Sequence, residues 1–407
     1  MTKMLDTICS KSFTDINFDL DNRSIKYCCK TSRIDLPQEI NVDFFNSNSI
    51  LRRRKDLFNG VKHKDCVHCW QDNDNNKPSY RDLHNQWRNI EDIPVDLIEQ
   101  SNFGNIFINH IEIKLDKTCD MSCVYCSPLD SSKIFIEEMG KEHMDISTES
   151  DIIAIIDWIA IVLESLKNNP RRINILFMGG EPTLSKKFAR FVTEIERLIP
   201  KGFEEYIKFG MVSNCNSTEA TMKKVTQLIE NSKCSWNIGI SNESMYQNAE
   251  RTRIGLKWDQ FEKNIKTYMV LKNINGFTLC PAINLLTFNN FYEYIQWFFK
   301  VFKELECTKL VQIVGNFVAN PTEIDISNLS KDNLKYCDEL ERLFNEVFVG
   351  HEKEVAMEFI THLRNRIGTS YKADHDCRVV EFLSEKSGKK KNQDIIKLYR
   401  NLKNIKW

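Results

Sequence analysis

The spacing of apolar and polar residues changes character about a quarter of the way along this chain. Residues 111–115 (IEIKL) alternate between the two, the period of a half-buried strand. Beyond them, short apolar runs trade places with longer stretches of helical period. The pattern predicts helix over 147–167, with Thr148 or Ser150 as N-cap, then strand over 173–178 and helix over 186–198. Strand over 207–213, helix over 218–230, strand over 235–241 and helix over 259–272 follow. Strand over 278–286, helix over 289–302 and strand over 309–318 complete the series, and from about residue 331 the pattern is mostly helical.

Six strands separated by helices predict a parallel α/β sheet, because parallel neighbours need a crossover connection. An open doubly wound sheet and a whole or partial (β/α) barrel both satisfy the pattern, and both collect chemistry at the C-terminal ends of their strands. Residues 1–100 are different: polar, without long apolar periodicity, and rich in cysteine. The expected division is a cysteine-rich segment over 1–100, an α/β core over 101–325 and a helical region over 326–407. Within the first part, 72–77 (DNDNNK) reads as a polar turn, and Arg52, Arg53, Arg54 and Lys55 read as a solvated helix face. A second basic run, Lys389, Lys390 and Lys391, follows Gly388 and reads as a loop.

Composition narrows the field. A 42% hydrophobic and 28% charged chain of 407 residues is globular, and 56 basic against 57 acidic residues provide no basic field for nucleic acid. The first residues carry no apolar signal region, and the longest apolar stretch, 152–163, is too short to span a bilayer. No membrane and no nucleic-acid partner is expected, and the expected location is the cytoplasm. In that compartment fourteen cysteines are better explained by metal ligation, catalysis or packing than by disulfides.

Three of them follow the strand over 111–115 in a C-x3-C-x2-C loop: Cys119, Cys123 and Cys126. Thiolates so spaced can converge on one metal centre from a single loop, and three ligands leave a coordination position open for chemistry. A zinc site completed by a distant ligand is the plainer alternative. After the second strand comes Gly179-Gly180-Glu181-Pro182, whose glycines allow close approach to the backbone. The third strand ends in Val212-Ser213-Asn214-Cys215, and the fourth in Ser241-Asn242-Glu243, with Arg251 and Arg253 shortly after.

In this order and at these strand ends, the motifs resemble those of the radical SAM enzymes. The resemblance implies a partial (β/α)6 barrel over 101–325. It also implies that Cys119, Cys123 and Cys126 hold a 4Fe-4S cluster whose fourth iron chelates S-adenosylmethionine. An electron, from a donor such as flavodoxin or ferredoxin, would then release a 5′-deoxyadenosyl radical that abstracts hydrogen from a peptide or small-molecule substrate. By the same resemblance Tyr125, Gly179, Gly180, Glu181, Pro182, Ser213, Asn214 and Ser241 contact the cofactor. Arg253, with Arg251 as runner-up, would pair with its carboxylate, a geometry that suits a bidentate guanidinium. The family commonly has glycine where this chain has Cys215.

The N-terminal cysteines form a second set: Cys9, the adjacent Cys28 and Cys29, and the C-x2-C pair Cys66 and Cys69. From the residues alone, a zinc ribbon or a redox dithiol remains open. The segment resembles the auxiliary-cluster region of twitch-type relatives of the SPASM group, here preceding the barrel. That implies an auxiliary 4Fe-4S cluster on Cys9, Cys28, Cys66 and Cys69, with Cys29 competing with Cys28. The 72–77 stretch departs from the glycine-containing turn expected there. Cys215, Cys234, Cys280, Cys307 and Cys337 are expected to pack as small apolar groups, and Cys377 is a candidate thiol near the barrel mouth. A non-catalytic iron–sulfur or zinc protein is the alternative to an enzyme.

Overall fold

Six parallel strands lie side by side in the order in which the chain makes them. The computed structural model describes residues 7–75, 79–87, 98, 104, 107–370 and 375–386. The strands are β1 (Asp15–Asp19), β2 (Ser24–Lys26), β3 (Ile34–Asp35), β4 (His110–Lys114), β5 (Ser122–Cys123), β6 (Ile173–Met178) and β7 (Ile207–Ser213). They continue with β8 (Ser235–Ile240), β9 (Arg253–Ile254), β10 (Ile274–Leu279), β11 (Ala282–Ile283), β12 (Leu310–Ile313) and β13 (Asn316–Phe317). One nine-stranded sheet runs β12-β10-β8-β7-β6-β4-β1-β2-β3. From β4 to β12 each strand is parallel to its predecessor and beside it. A doubly wound sheet reverses its order at a switch point. Its six parallel strands, β4 to β12, run without reversal as a partial barrel requires, while β1, β2 and β3 continue from the other side of β4 with β2 and β3 antiparallel.

The two faces of that sheet differ sharply. On one, Ile111, Ile113, Ile173, Ile175, Phe177, Ile207, Phe209, Trp236, Ile238 and Phe277 are fully buried. Helices Glu149–Glu164, Phe188–Leu198, Glu219–Asn231, Trp258–Val270 and Phe291–Glu304 connect these strands and supply the other half of the core. Each such side chain contributes about 1.5–3 kcal/mol through burial. The alternate positions, pointing the other way, are half-buried and mostly polar: His110, Glu112 and Lys114 on β4, Asn174 on β6, Lys208 on β7, Asn237 on β8 and Thr278 on β10. Gly210 and Gly239 in the middle of this face make room for neighbouring side chains; a Cβ at the first would stand 3.1 Å from Leu176 Cδ1, and at the second 3.0 Å from Val212 Cγ2.

The helix Glu149–Glu164 starts as expected at Thr148, whose hydroxyl accepts from Asp151 N while Asp151 reciprocates, a capping box. Other predicted elements need correction. The strand expected over 278–286 ends at Leu279, because Pro281 interrupts the ladder and the chain turns before β11. The turn expected over 72–77 is helical through Asp74 in Val67–Asp74; residues 76 and 77 lie outside the described residues, as does the 389–391 basic run. Arg52 to Lys55 do sit on a helix, Asn48–Phe58, and Arg52 is solvated, but the middle two are not. Arg53 and Arg54 are 4% and 1% exposed. Arg54 donates to Ser12 O (2.7 Å) and Gly104 O (2.9 Å) with its guanidinium over the Tyr27 ring, so its charge is held by carbonyls and a π face.

The N-terminal segment joins the main sheet. β1 lies parallel to β4 with Asp15 opposite His110, and β2 and β3 extend it antiparallel. Ile16 and Phe18 continue the apolar face, while Asn17 and Asp19 continue the polar one. Among the described residues, no helix is long and apolar enough to cross a membrane.

Candidate active site

The loop that carries Cys119, Cys123 and Cys126 leaves the C-terminal end of β4 and is gripped by backbone on both sides. Gly180 N donates to Asp116 O (2.9 Å), and Glu181 N donates to Thr118 O (2.7 Å). The contact is so close that a Cβ on Gly180 would stand 2.4 Å from Thr118 O and 2.5 Å from Lys117 O. Gly179, at φ 147°, would place one 2.3 Å from Asp116 O. On the far side Gly255 (φ 110°) would meet Asp120 O at 2.8 Å. The glycines therefore let the cysteine loop itself approach, in addition to bordering the cavity where a ligand would lie.

Side chains complete the grip. Asp120 accepts from Asn214 Nδ2 and Asn216 Nδ2, each at 3.0 Å, and Asn216 also holds Gly255 O and Lys257 N. Glu181, 2% exposed, accepts from Asn214 N (2.7 Å), Ser213 Oγ (2.9 Å) and Thr183 Oγ1 (2.7 Å), fastening the end of β6 to the end of β7. Burial pushes its carboxyl above the ordinary range while these hydrogen bonds pull it back. Pro182 opens the short 3₁₀ turn Pro182–Leu184 behind it.

Cys123 pairs across β5 and β9 with Arg253. The guanidinium of Arg253 makes a bidentate pair with the fully buried Glu243, Nε to Oε1 at 3.2 Å and Nη2 to Oε2 at 2.5 Å. Tyr125 Oη donates to the same carboxylate (2.8 Å), as does Ala282 N (3.1 Å), and the Tyr125 ring lies under the Arg253 guanidinium. Burial opposes the Arg253 charge, yet the Glu243 carboxylate holds its pKa well above the ordinary value. Arg251 is spent on Gln247 at the surface of its helix.

A cavity of about 520 Å³ collects most of the expected residues. Cys119, Cys123, Cys126, Tyr125, Gly179, Gly180, Asn214, Ser241 and Arg253 border it. Glu181, Pro182 and Ser213 are placed behind its wall, where they brace the strand ends. Burial raises the unligated thiols, Cys119 and Cys123 to about 12 and Cys126 to about 11. Glu243, Asp120, Asn216 and Gly255 belong to the site without having been singled out from the sequence. Glu243 had a signal, a carboxylate two residues past a strand end, but no partner was legible for it.

Cys215 has φ 55°, the left-handed region that favours glycine, and its thiol is buried. The departure from the family's glycine is thus a side chain accepted in a strained backbone. Cys215→Gly is expected to relieve about 1 kcal/mol of backbone strain and to be less destabilising than Cys215→Ala, with urea midpoints as the check.

The N-terminal cysteines gather at the other end of the sheet. Cys9 precedes β1 through the helix Ser10–Thr14, and Cys28 follows the antiparallel β2, so both lie at the strand-start end. Cys9, Leu57 and Trp70 form one apolar cluster with Cys66 against it. Cys9 is within electrostatic reach of Cys28, Cys66 and Cys69. Cys28 is buried, whereas Cys29 is exposed. Arg53 is buried beside Cys66; its Nη2 reaches Asp65 Oδ2 at 3.4 Å, and its Nε and Nη1 have no hydrogen-bond partner among the described residues. Arg81 lies over the Trp70 ring at 4.7 Å. Cys215, Cys234 and Cys337 are buried as expected, while Cys280 and Cys307 are half-buried; the side chain of Cys377 lies outside the described ones. Among the described residues, no three His, Cys, Asp or Glu side chains are close enough to hold a bare metal ion. A cluster places its own irons and sulfides between its thiolates, so its ligands stand further apart than those of an ion.

No protein-family model and no curated protein matches the sequence. Solved structures do. The chain is similar to anSMEcpe with bound AdoMet at 17% identity and a TM-score of 0.39, covering 58% of this chain and 59% of that one, less than two thirds of its length. Streptococcus suis SuiB bound to S-adenosylmethionine is 14% identical, with 82% and 69% covered and a TM-score of 0.41. TYW1 with a lysine-pyruvate adduct bound is 14% identical, with 58% and 74% covered and a TM-score of 0.34. Each is a distant likeness of fold. Strands in sequential parallel order, a three-cysteine loop at the tip of the first of the six and a glycine pair beneath that loop are the arrangement that the motifs implied.

Proposed function

We propose that the chain is a radical SAM enzyme. The observation that carries this is the single cavity bordered by Cys119, Cys123 and Cys126 together with Gly179, Gly180, Asn214, Ser241 and Arg253. The donor set fits a 4Fe-4S cluster with one open position: three thiols of one loop, facing one space, with hydrogen-bonding groups around the remainder. When bound there, the cluster supplies the electron that cleaves S-adenosylmethionine to a 5′-deoxyadenosyl radical.

The residues of the chain bind and orient. Gly179 and Gly180 offer backbone to the ligand because they have no side chains in its way. Asn214 and Ser241 present polar groups at the ends of β7 and β8. Arg253 offers a positive charge at the cavity wall, and Glu243 fixes its direction by occupying Nε and Nη2. The substrate is a peptide or small molecule that lies on the polar face of the sheet, below the cavity.

At the strand-start end, Cys9, Cys28, Cys66 and Cys69 are assigned an auxiliary 4Fe-4S cluster. In its support, the buried Arg53, whose Nη2 faces Asp65, has two further N–H groups beside Cys66 without a partner among the described residues, and thiolates there would accept them. Iron and sulfide are therefore expected at about eight per chain in anaerobically purified protein, falling to about four in a Cys66→Ala/Cys69→Ala variant. Unchanged iron in that variant would remove the auxiliary assignment; iron lost from Cys119→Ala and retained AdoMet cleavage would remove the main one.

A further inference from the structure

Helix His375–Lys386 lies against a second, smaller core that stands apart from the main one. That core is Val124, Leu285, Leu286, Val318 and Ile324, closed by Val379 and Leu383 of the helix; the half-buried Leu329 packs against both cores. Val379 and Leu383 are 0% and 1% exposed and stand one helical turn apart, with Val380 and Phe382 packed beside them. The receiving surface is not part of the nine-stranded sheet. β11 and β13 pair with each other just past the ends of β10 and β12, and the turn Thr322–Ile324 is joined to them by Leu285 N donating to Ile324 O at 2.8 Å.

This small core backs one wall of the cofactor cavity. Cys123, Tyr125, Arg253 and Asn320 border the cavity, and their chain neighbours are in the core: Val124 between the first two, Ile254 after Arg253, and Val318 and Ile324 on either side of Asn320. Ala282 N of β11 also donates to the Glu243 carboxylate that directs Arg253. The wall therefore rests on the helix from behind. Among its described residues the helix has two fully buried side chains to hold it there, and the loss of freedom in ordering twelve residues opposes docking. An element with so small an anchor opens locally while the rest stays folded.

Resting on the radical SAM reading, we propose that helix His375–Lys386 is a gate on this cavity. Docked on Val124, Val318 and Ile324, it holds the wall of Tyr125, Arg253 and Asn320 closed around AdoMet. Undocked, it frees that wall, and AdoMet enters and its products leave in that state. A gate limits arrival as well as departure, so loosening it speeds both. A merely structural helix would, when loosened, speed departure alone.

The test uses the full, reconstituted chain, left oxidised so that AdoMet stays intact, with labelled AdoMet followed by rapid filtration. In Val379→Ala/Leu383→Ala the association and dissociation rate constants should both rise about tenfold or more, with Kd changing less than either. Ile159→Ala/Val162→Ala, an equally buried pair in the main core, should leave both rate constants unchanged. Faster dissociation with unchanged association, or the same changes in the main-core variant, would overturn the gate. Hydrogen exchange in the wild-type chain tests it without a substitution. Amides of residues 378–383 should exchange about tenfold or more faster than those of β6, β7 and β8, at a rate that low urea does not alter. Exchange of the helix in step with those strands would overturn the gate as well. A wild-type chain that carries its iron but binds no AdoMet would instead overturn the radical SAM reading on which the gate rests.

Discussion

Glu243→Ala is expected to destabilise the chain by about 3–5 kcal/mol, the cost of leaving one member of a buried ion pair without its partner. Glu243 is fully buried and Arg253 nearly so, and the carboxylate also accepts from Tyr125 Oη and Ala282 N. Truncation therefore strands a guanidinium, a hydroxyl and a backbone N–H together. Because β9 carries Arg253 and pairs with Cys123, the loss should reach the cysteine loop. Denaturant midpoints would show the destabilisation, and iron content after anaerobic reconstitution would show the loop effect. Glu243→Gln retains the shape and one acceptor, so it should fall between wild type and Glu243→Ala. A Glu243→Ala chain with wild-type midpoint and iron would mean that Arg253 is satisfied some other way.

Gly180→Val should have the second large effect. Its Cβ would collide with backbone atoms of Lys117 and Thr118 at 2.4 to 2.6 Å, and backbone cannot swing aside as a long side chain can. The strain is about 1–3 kcal/mol or more, and relief requires the loop to lift away from the end of β6. The two hydrogen bonds from Gly180 N and Glu181 N would then be lost. Iron retained after gel filtration should drop sharply, even under conditions where the far-ultraviolet circular dichroism stays native. Gly140→Ala serves as a control: its φ is positive where that of Gly180 is not, but a Cβ there meets nothing within 4 Å, so it should leave the iron in place.

Much of this was legible in the residues because the barrel repeats one simple rule. Apolar runs such as Ile173–Met178 and amphipathic helices after them have strong periods, and the chemistry stands at the strand ends, where the sequence motifs fell. The C-x3-C-x2-C spacing was readable for a related reason, since all three thiols belong to one loop. What was not legible depends on pairing over long sequence distances. β1 (DINFD) does alternate, but five residues in a polar stretch give a weak signal, and its partner β4 lies about ninety residues on. Arg54 looked like a surface charge because the carbonyls that hold it belong to Ser12 and Gly104. The Arg253–Glu243 pair was hidden differently. Both residues sat in quoted motifs, and only the fold shows that the arginine assigned to a ligand is first directed by a carboxylate. The glycines were read as room for a ligand, and the chain uses that room for its own cysteine loop as well.

The central claim is that Cys119, Cys123 and Cys126 build a site that cleaves S-adenosylmethionine reductively. The most direct measurement is 5′-deoxyadenosine and methionine formed from S-adenosylmethionine by anaerobically reconstituted, dithionite-reduced protein. Both products are expected in equal amounts from the wild-type chain and neither from Cys123→Ala. A wild-type chain that holds its iron and sulfide yet leaves S-adenosylmethionine intact would contradict it and favour a non-catalytic iron–sulfur protein.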